Sequence, residues 1–303
     1  MKKLFVFIFL FVYVVASSQQ ITCKVVDANS GAALPFATVA FTKSKLFLYT
    51  DISGQFSFSK NQEPANDTIR VQYLSYATAI VPVATITDGF VIRLAPKANL
   101  LQNLTVTACN NPQPVMVNKI SRKAKDYIGP GPETRMIIIS RFANSKNLSG
   151  FVNTIELYSG SFIEKAEVPV RIHWYTWDDS TNMPGEEITD TSIIVYPYRQ
   201  GWNKFPVPAK MIYYSNKGLV LGLEFIYPVE YKKQYASLTT EKERLDWLND
   251  MNHRWKLGMQ TTRIEKEGTF FIVNNEGVAS YAKKSNYSYL KPAVRISIET
   301  CNQ

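Results

Sequence analysis

Residues 21–59 read ITCKVVDANSGAALPFATVAFTKSKLFLYTDISGQFSFS, and this stretch decides the fold. Ile21 to Asp27 alternates apolar and polar side chains and stops at Ala28-Asn29-Ser30-Gly31, a strand running into a turn. Residues 38–42 and 47–50 are short β-branched and aromatic runs. Asp51-Ile52-Ser53-Gly54 is a second turn, after which residues 55–59 put Phe56 and Phe58 on one face. Residues 68–73, 77–83 and 89–94 complete seven short strands, spaced by turn signals as in a β-sandwich. Gly31 and Gly54 stand where the hairpins close, because glycine takes positive φ without Cβ strain.

The residues ahead of these strands bear on the compartment. Lys2 and Lys3 form a positive n-region, residues 4–15 are apolar, and Ala16-Ser17-Ser18 supplies small residues. This pattern predicts a signal peptide at 1–18 with cleavage before Gln19, hence an exported chain. The apolar run is shorter than a span of ~20 residues and no later run is longer, so no transmembrane segment is expected after cleavage. The formal charge is +9, or +7 once Lys2 and Lys3 are removed. For an exported chain that balance suits an anionic envelope surface, or mere solvation, and not nucleic acid. Cys23, Cys109 and Cys301 are too few for a disulfide framework. Cys23 lies inside a strand as a small buried residue. Cys109 and Cys301 flank the second domain, and whether they pair is left open.

Four segments carry a resemblance. They are Val25-Val26-Asp27 to Gly31, Leu34-Pro35-Phe36-Ala37-Thr38-Val39, Thr50-Asp51 to Gly54-Gln55-Phe56, and Val71 to Leu74-Ser75-Tyr76. In that order they resemble the carboxypeptidase regulatory-like domain. The resemblance implies a seven-stranded transthyretin-like β-sandwich over residues 19–97, without catalytic activity. It also implies an envelope setting, since such domains extend outer-membrane TonB-dependent receptors and smaller envelope proteins. Cys23 and Ser75 replace glycines usual in the family, and neither change threatens the fold.

Residues 98–132 read as a linker, with four prolines, the basic cluster Lys119, Arg122, Lys123 and Lys125, and one short helix at 117–127. From residue 133 to 303 the pattern is β again. Strands are expected at 135–140, 151–159, 168–177, 191–196, 202–207, 219–227, 269–274 and 294–299, which suits a jelly-roll-like β-sandwich. One helix interrupts them: Thr240 with Glu243 is a capping box, and Leu245 with Leu248 marks its apolar face. The fold class is therefore all-β.

The chemistry is sparse. A zinc carboxypeptidase needs His and Glu three residues apart plus a distant His. Only His173 and His253 exist, and Thr176 and Lys256 stand where Glu is required. No G-x-S-x-G elbow, P-loop or C-x-x-C occurs. Asp178-Asp179-Ser180-Thr181-Asn182 with Glu186-Glu187 gathers oxygen ligands of the kind calcium takes, but the spacing matches no loop motif. No metal, cofactor or catalytic residue is expected. Alternation puts Trp174 on one face of its strand and Tyr175 with Trp177 on the other, one set core and the other exposed. An exposed ring beside carboxylates suits a sugar, so Trp177, Asp178, Asp179, Glu186 and Trp202 are the candidate glycan-binding residues. The resulting expectation is an exported, non-catalytic binding or structural module of the periplasm or outer membrane, with an envelope protein or glycan as partner. The alternative is a carbohydrate-active hydrolase using carboxylates of the 178–187 loop.

Overall fold

The computed structural model describes residues 20–44, 46–60, 66–97, 112–118, 120, 124, 126–128, 132, 135–160, 168–189, 192–254, 257–262, 270–274, 277–281, 283–285 and 288–300. The side chains of 126, 127, 230, 248, 249, 251–254, 260–262 and 270–289 are not among them. Residues 1–18, read above as a signal peptide, and Cys109 and Cys301 lie outside the described residues. The chain forms two compact units, residues 1–97 and 98–303.

The first unit is a β-sandwich of seven strands: β1 (Gln20–Asp27), β2 (Thr38–Phe41), β3 (Phe47–Tyr49), β4 (Gln55–Ser59), β5 (Thr68–Gln72), β6 (Ala79–Pro82) and β7 (Phe90–Leu94). One sheet runs β4-β1-β7 and the other β3-β2-β5-β6. Every pair is antiparallel except β1 with β7. The alternation read from the sequence places Val25, Val39, Phe56, Phe58, Ile69, Val71 and Ile92 in one core, with Cys23 among them. Burial, then the charge of Asp88, pushes the Cys23 thiol up to about 11, which keeps it protonated and inert. Gly54 has φ +73, and a Cβ there would lie 2.7 Å from the Val25 carbonyl oxygen. Both the turn and the close approach of β1 therefore require glycine.

Two carboxylates fasten the loops of this unit. Asp27 accepts hydrogen bonds from the backbone of Asn29 and Ser30, the Ser30 hydroxyl and the Tyr76 hydroxyl. Asp67 is buried and accepts from Thr42 Oγ1 and the backbone N–H groups of Lys43, Ser44 and Thr68, at 2.6–2.9 Å. Burial raises the Asp67 pKa, but these four donors outweigh it and hold the carboxyl well below its usual range.

The second unit is a larger sandwich. Its strands are β8 (Gln113–Met116), β9 (Asp126–Ile128), β10 (Ile137–Phe142), β11 (Gly150–Ser159), β12 (Val170–Asp178), β13 (Met183–Glu187), β14 (Ile193–Val195), β15 (Gly201–Pro206), β16 (Tyr213–Tyr214) and β17 (Leu219–Phe225). Helices α1 (Val229–Ser237) and α2 (Glu241–Arg254) follow. Strands β18 (Leu257–Thr262), β19 (Phe270–Asn274), β20 (Gly277–Tyr281), β21 (Lys283–Ser285), β22 (Ser288–Pro292) and β23 (Val294–Thr300) complete it. Among the described residues one sheet runs β13-β12-β17-β10-β19-β20, with β14 also beside β12. The other runs β21-β22-β18-β11-β23-β8, with β15 and β16 beside β11 and β9 beside β18. Ile138, Ile172, Trp174, Leu221 and Leu223 of the first sheet pack with Ile155, Leu157, Ile296 and Ile298 of the second in a single core.

All eight strands expected in this region are present, eight more accompany them among the described residues, and several expectations are corrected. The segment read as linker supplies β8 and β9, and Asp126–Ile128, expected in a helix, is extended. Pro114 is tolerated because β8, among the described residues, is an edge strand paired with β23 alone. A second helix, α1, precedes the expected one. Its Tyr231 and Tyr235 sit one turn apart and both meet the Trp247 ring edge-on. The capping box of α2 is as read, with Thr240 Oγ1 accepting from the Glu243 N–H and Glu243 accepting from the Thr240 N–H. The apolar contact of α2 runs through Trp247, whereas Leu245 is exposed.

Asp67→Ala leaves three backbone N–H groups and a hydroxyl without their acceptor, which is expected to cost the first unit about 2–4 kcal/mol. Hydrogen-exchange mass spectrometry of the full chain reads this unit separately. Unchanged protection of β2 and β5 in the variant would contradict the assignment. The Asp67 contribution is present above the ordinary carboxylate pKa and is lost as pH falls through its lowered native value.

Candidate functional site

Strands β12 and β17 are buried on both faces, yet each carries charge. β12 reads Val170-Arg171-Ile172-His173-Trp174-Tyr175, and β17 reads Leu219-Val220-Leu221-Gly222-Leu223-Glu224. The period of two sends Val170, Ile172, Trp174, Leu221 and Leu223 into the core between the sheets. Arg171, His173, Tyr175, Gly222 and Glu224 are left on the opposite face. The antiparallel register sets Arg171 opposite Glu224 and His173 opposite Gly222. On the other side of β17, Ile137 faces Glu224 and Ile139 faces Gly222.

Glu224 is fully buried and collects three cations. Its Oε2 accepts from Arg171 Nη1 at 3.0 Å and His173 Nε2 at 2.9 Å, and its Oε1 accepts from Arg135 Nε at 2.5 Å. His173 Nδ1 donates to Glu187 Oε1 at 2.6 Å, and Arg171 Nε donates to Ser192 Oγ at 3.0 Å. Tyr175 stacks on the imidazole, with ring centroids 5.9 Å apart and planes 13° from parallel. A Cβ on Gly222 would lie 2.9 Å from Ile137, 3.0 Å from Tyr175 and 3.2 Å from His173, so the missing side chain makes room for this stack.

The electrostatics follow from these contacts. Burial pushes the Glu224 pKa up, but the charges of Arg135 and Arg171 and the His173 bond hold it well below its ordinary value. Burial pushes His173 down, but its bonds to Glu187 and Glu224 outweigh that and raise it. Both imidazole nitrogens donate to carboxylates, so the ring is an imidazolium with no lone pair to act as a base. Lys232 of α1 is pushed down to about 7 by burial, opposed by the Glu224 charge.

The residues singled out from sequence are placed differently. Trp177 is buried, with the Arg141 guanidinium 3.9 Å over its ring and Ile137, Ile139 and Val220 packed around it. The expectation of an exposed stacking ring is corrected, because this face of β12 is covered too. Asp178 accepts from the Ser180 N–H and hydroxyl and the Thr181 hydroxyl, which hold it down to about 2 and close its turn. Asp179 is exposed, 3.8 Å from Arg141. Glu186 is exposed, while Glu187 turns in to His173. Trp202 is in the other sheet, edge-on to Tyr158 and 3.6 Å beneath the Arg295 guanidinium. The structure therefore keeps Trp177, Asp178, Asp179 and Glu186 at one hairpin and separates Trp202 from them. Among the described residues no cluster of three or more His, Cys, Asp or Glu has the arrangement of a metal site.

Sequence reasoning missed Arg135, Arg171 and Glu224, and it read Glu187 as part of an acidic loop and not as a partner of His173. The available signal was charge at alternate positions of two otherwise apolar strands. Such a pattern reads as a solvated sheet face until tertiary packing covers it.

With this geometry in view, the comparisons place the first unit. Residues 21–106 match the family described as CarboxypepD_reg-like domain. The first unit accordingly carries a carboxypeptidase regulatory-like domain, in the all-β sandwich form described above. No curated protein matches the chain. Among the described residues no helix is long and apolar enough to cross a membrane.

Removing one member of the network leaves a buried charge unpaired, so Glu224→Gln is expected to cost about 3–5 kcal/mol in chemical denaturation. The His173 pKa is raised on folding, so its contribution is complete below about 6.5 and is lost as pH rises through the native value. Glu224 is lowered, so its contribution is complete above 4.5 and is lost as pH falls through its native value. Lys232 titrates in the opposite sense above about 7, so the comparison with a variant isolates the imidazole. His173→Gln should remove the part of the pH dependence seen above pH 6.5; an unchanged profile would contradict a charged His173. Trp177→Ala, as a core truncation, is expected to cost about 3–5 kcal/mol in the same assay.

Proposed function

We propose that this is an exported, non-catalytic protein of the bacterial envelope. Its regulatory-like domain serves as a spacer or docking module, and its second sandwich carries the ligand or partner site. The observation that supports this reading most directly is the closure of the titratable groups. His173 has both nitrogens committed to carboxylates, and Glu224 is surrounded by three cations. Asp178 locks its own turn, and Glu187 is bound to His173. A hydrolase needs a carboxylic acid and a carboxylate facing a common space, with one of them poised to move a proton. The lysines of the n-region, the apolar stretch and Ala16-Ser17-Ser18 support export.

Expression of the full chain in a bacterial host with an outer membrane tests both parts. Intact mass should show a mature protein beginning at Gln19 in the envelope or periplasmic fraction. A cytosolic chain that retains Met1, or one lipidated at Cys23, overturns the export reading. The purified protein should release no reducing sugar from a panel of polysaccharides. Turnover that disappears in Glu186→Gln or Glu187→Gln, with the melting temperature kept, would establish the hydrolase alternative instead.

A further inference from the structure

Residues 191–223 contain no aspartate or glutamate but include Arg199, Lys204, Lys210 and Lys217. All four cations are exposed. The segment holds β15 and β16, which pair with Thr154–Ser159 and Gly150–Phe151 of β11. β23 pairs with residues 151–157 of the same strand, so β15 and β16 both occupy its other side. Among the described residues, 196–217, which hold β15 and β16, therefore form a basic rim of the nine-stranded sheet, while β14 before them and β17 after them belong to the other sheet. Glu156 faces Lys204 across this pair, but its carboxylate is engaged by Arg295 at 3.2 Å.

At the start of the rim, burial alternates. Val195 and Pro197 are buried, while Tyr196 and Tyr198 are 47% and 51% exposed. Alternation of this kind marks extended chain, which sets the two phenols side by side, about 6.6 Å apart at ~3.3 Å per residue. The loop beyond them is fastened from below by Asn203, which is fully buried. Its Oδ1 accepts from the N–H groups of Tyr198 and Arg199 at 2.8 and 3.0 Å. Its Nδ2 donates to the carbonyls of Arg199 and Gly201 at 2.8 and 3.0 Å. The Arg199 guanidinium lies 5.5 Å from the Tyr198 ring centroid, and its Nε donates to the Trp202 carbonyl. Gly201, at φ +92, completes the turn into β15.

An amide buried wholly to hold a solvent-facing loop preorganises what that loop presents, and so removes the ordering cost of binding. What it presents is two flat apolar rings with polar tips and a guanidinium, on a rim of one charge. Phenol faces stack on the C–H faces of sugar rings, and a guanidinium grips a carboxylate with paired hydrogen bonds. Tyr198 stands between the Arg199 guanidinium and the edge of the buried Phe205 ring, and the cations of the rim favour a hydroxylated anion over a protein hot spot. We propose that Tyr196, Tyr198 and Arg199 form a platform for an acidic polysaccharide. Lys204 extends its charge, and Asn203 is its positioning residue. This deepens the binding reading above and rests on it.

Calorimetric titration of the full chain with hexagalacturonate, beside neutral maltohexaose, tests the platform. The acidic oligomer should bind, more weakly as salt rises, and the neutral one should bind about tenfold less tightly or worse. Tyr198→Ala and Tyr196→Ala should each weaken binding about tenfold at unchanged melting temperature, as truncation of an exposed anchor does. Tyr198→Phe, which keeps the ring, should restore most of the affinity. Asn203→Ala should weaken binding although both rings remain. No binding of hexagalacturonate, alginate or heparin oligomers at millimolar concentration overturns the platform, as does binding that survives the double Tyr196→Ala, Tyr198→Ala change. Capture by phosphatidylglycerol vesicles that these oligomers do not displace also overturns it, in favour of a lipid surface. Absence of binding leaves the export and non-catalytic readings intact. Shortening of bound hexagalacturonate, read by chromatography, overturns the non-catalytic reading and leaves the platform standing.

Discussion

Glu224 is a full negative charge held out of water, and the second sandwich is arranged around that fact. Taking a carboxylate out of water costs several kcal/mol unless cations and donors replace the lost solvent. The replacements come from separate places in the chain: Arg135 ahead of β10, and Arg171 and His173 on β12. They meet only in one register. A one-residue slip of β17 against β12 would turn Glu224 inward beside the apolar side chains of β12, Ile172 and Trp174, and would bring the leucines of β17 out among the arginines. The network thus penalises the wrong pairing heavily, whatever its net contribution to the right one. Gly222 belongs to the same device, since a Cβ there would crowd Ile137, Tyr175 and His173.

The two units treat their other carboxylates alike. Asp27, Asp51 and Asp178 turn back on their own loops and accept backbone N–H groups, and Asp67 accepts those of the separate 42–44 loop. Such bonds satisfy turn donors that no ladder reaches, and at Asp27, Asp67 and Asp178 they draw the carboxylate pKa down. They also explain why an acidic loop that looks like a ligand site in sequence proves structural. The carboxylates of the 178–187 hairpin are mostly spent on the turn, on Arg141 and on His173. Half-exposed tyrosines and exposed cations lie elsewhere, on the segment 196–217, which has no acidic residue and is held by the buried Asn203.

The two sheets of the second unit show how burial divides by face. Between them the core is apolar, aliphatic side chains packed with Phe142, Trp174, Phe205, Tyr214 and Phe225, as period-two alternation predicts. Behind β12 and β17 the covered face is mixed, with Ile137, Ile139, Val220 and Trp177 beside the charged network. Trp177 therefore gains its place from the Arg141 guanidinium and these aliphatics, and not from any role at the surface.

The sequence by itself determined the strands of the first unit, the glycine turns at Gly31 and Gly54, the likeness to a regulatory-like domain, eight strands of the second unit and the capped start of α2. These are local matters: alternation, turn chemistry and capping act over a few residues, and short-range physics writes them into the chain. It did not disclose β8, β9 or α1, whose polar or proline-bearing segments are ordered by partners far along the chain, Val294–Thr300 for β8 and Trp247 for the tyrosines of α1. Nor did it disclose that Trp177 is covered or that Arg135, Arg171, His173, Glu187 and Glu224 converge. Residues 135 and 224 are far apart in the chain, and a charge on a strand reads as solvated until something packs over it. Only the tertiary structure decided which sheet face met water and which met protein, because that choice depends on what the rest of the chain brings to cover it.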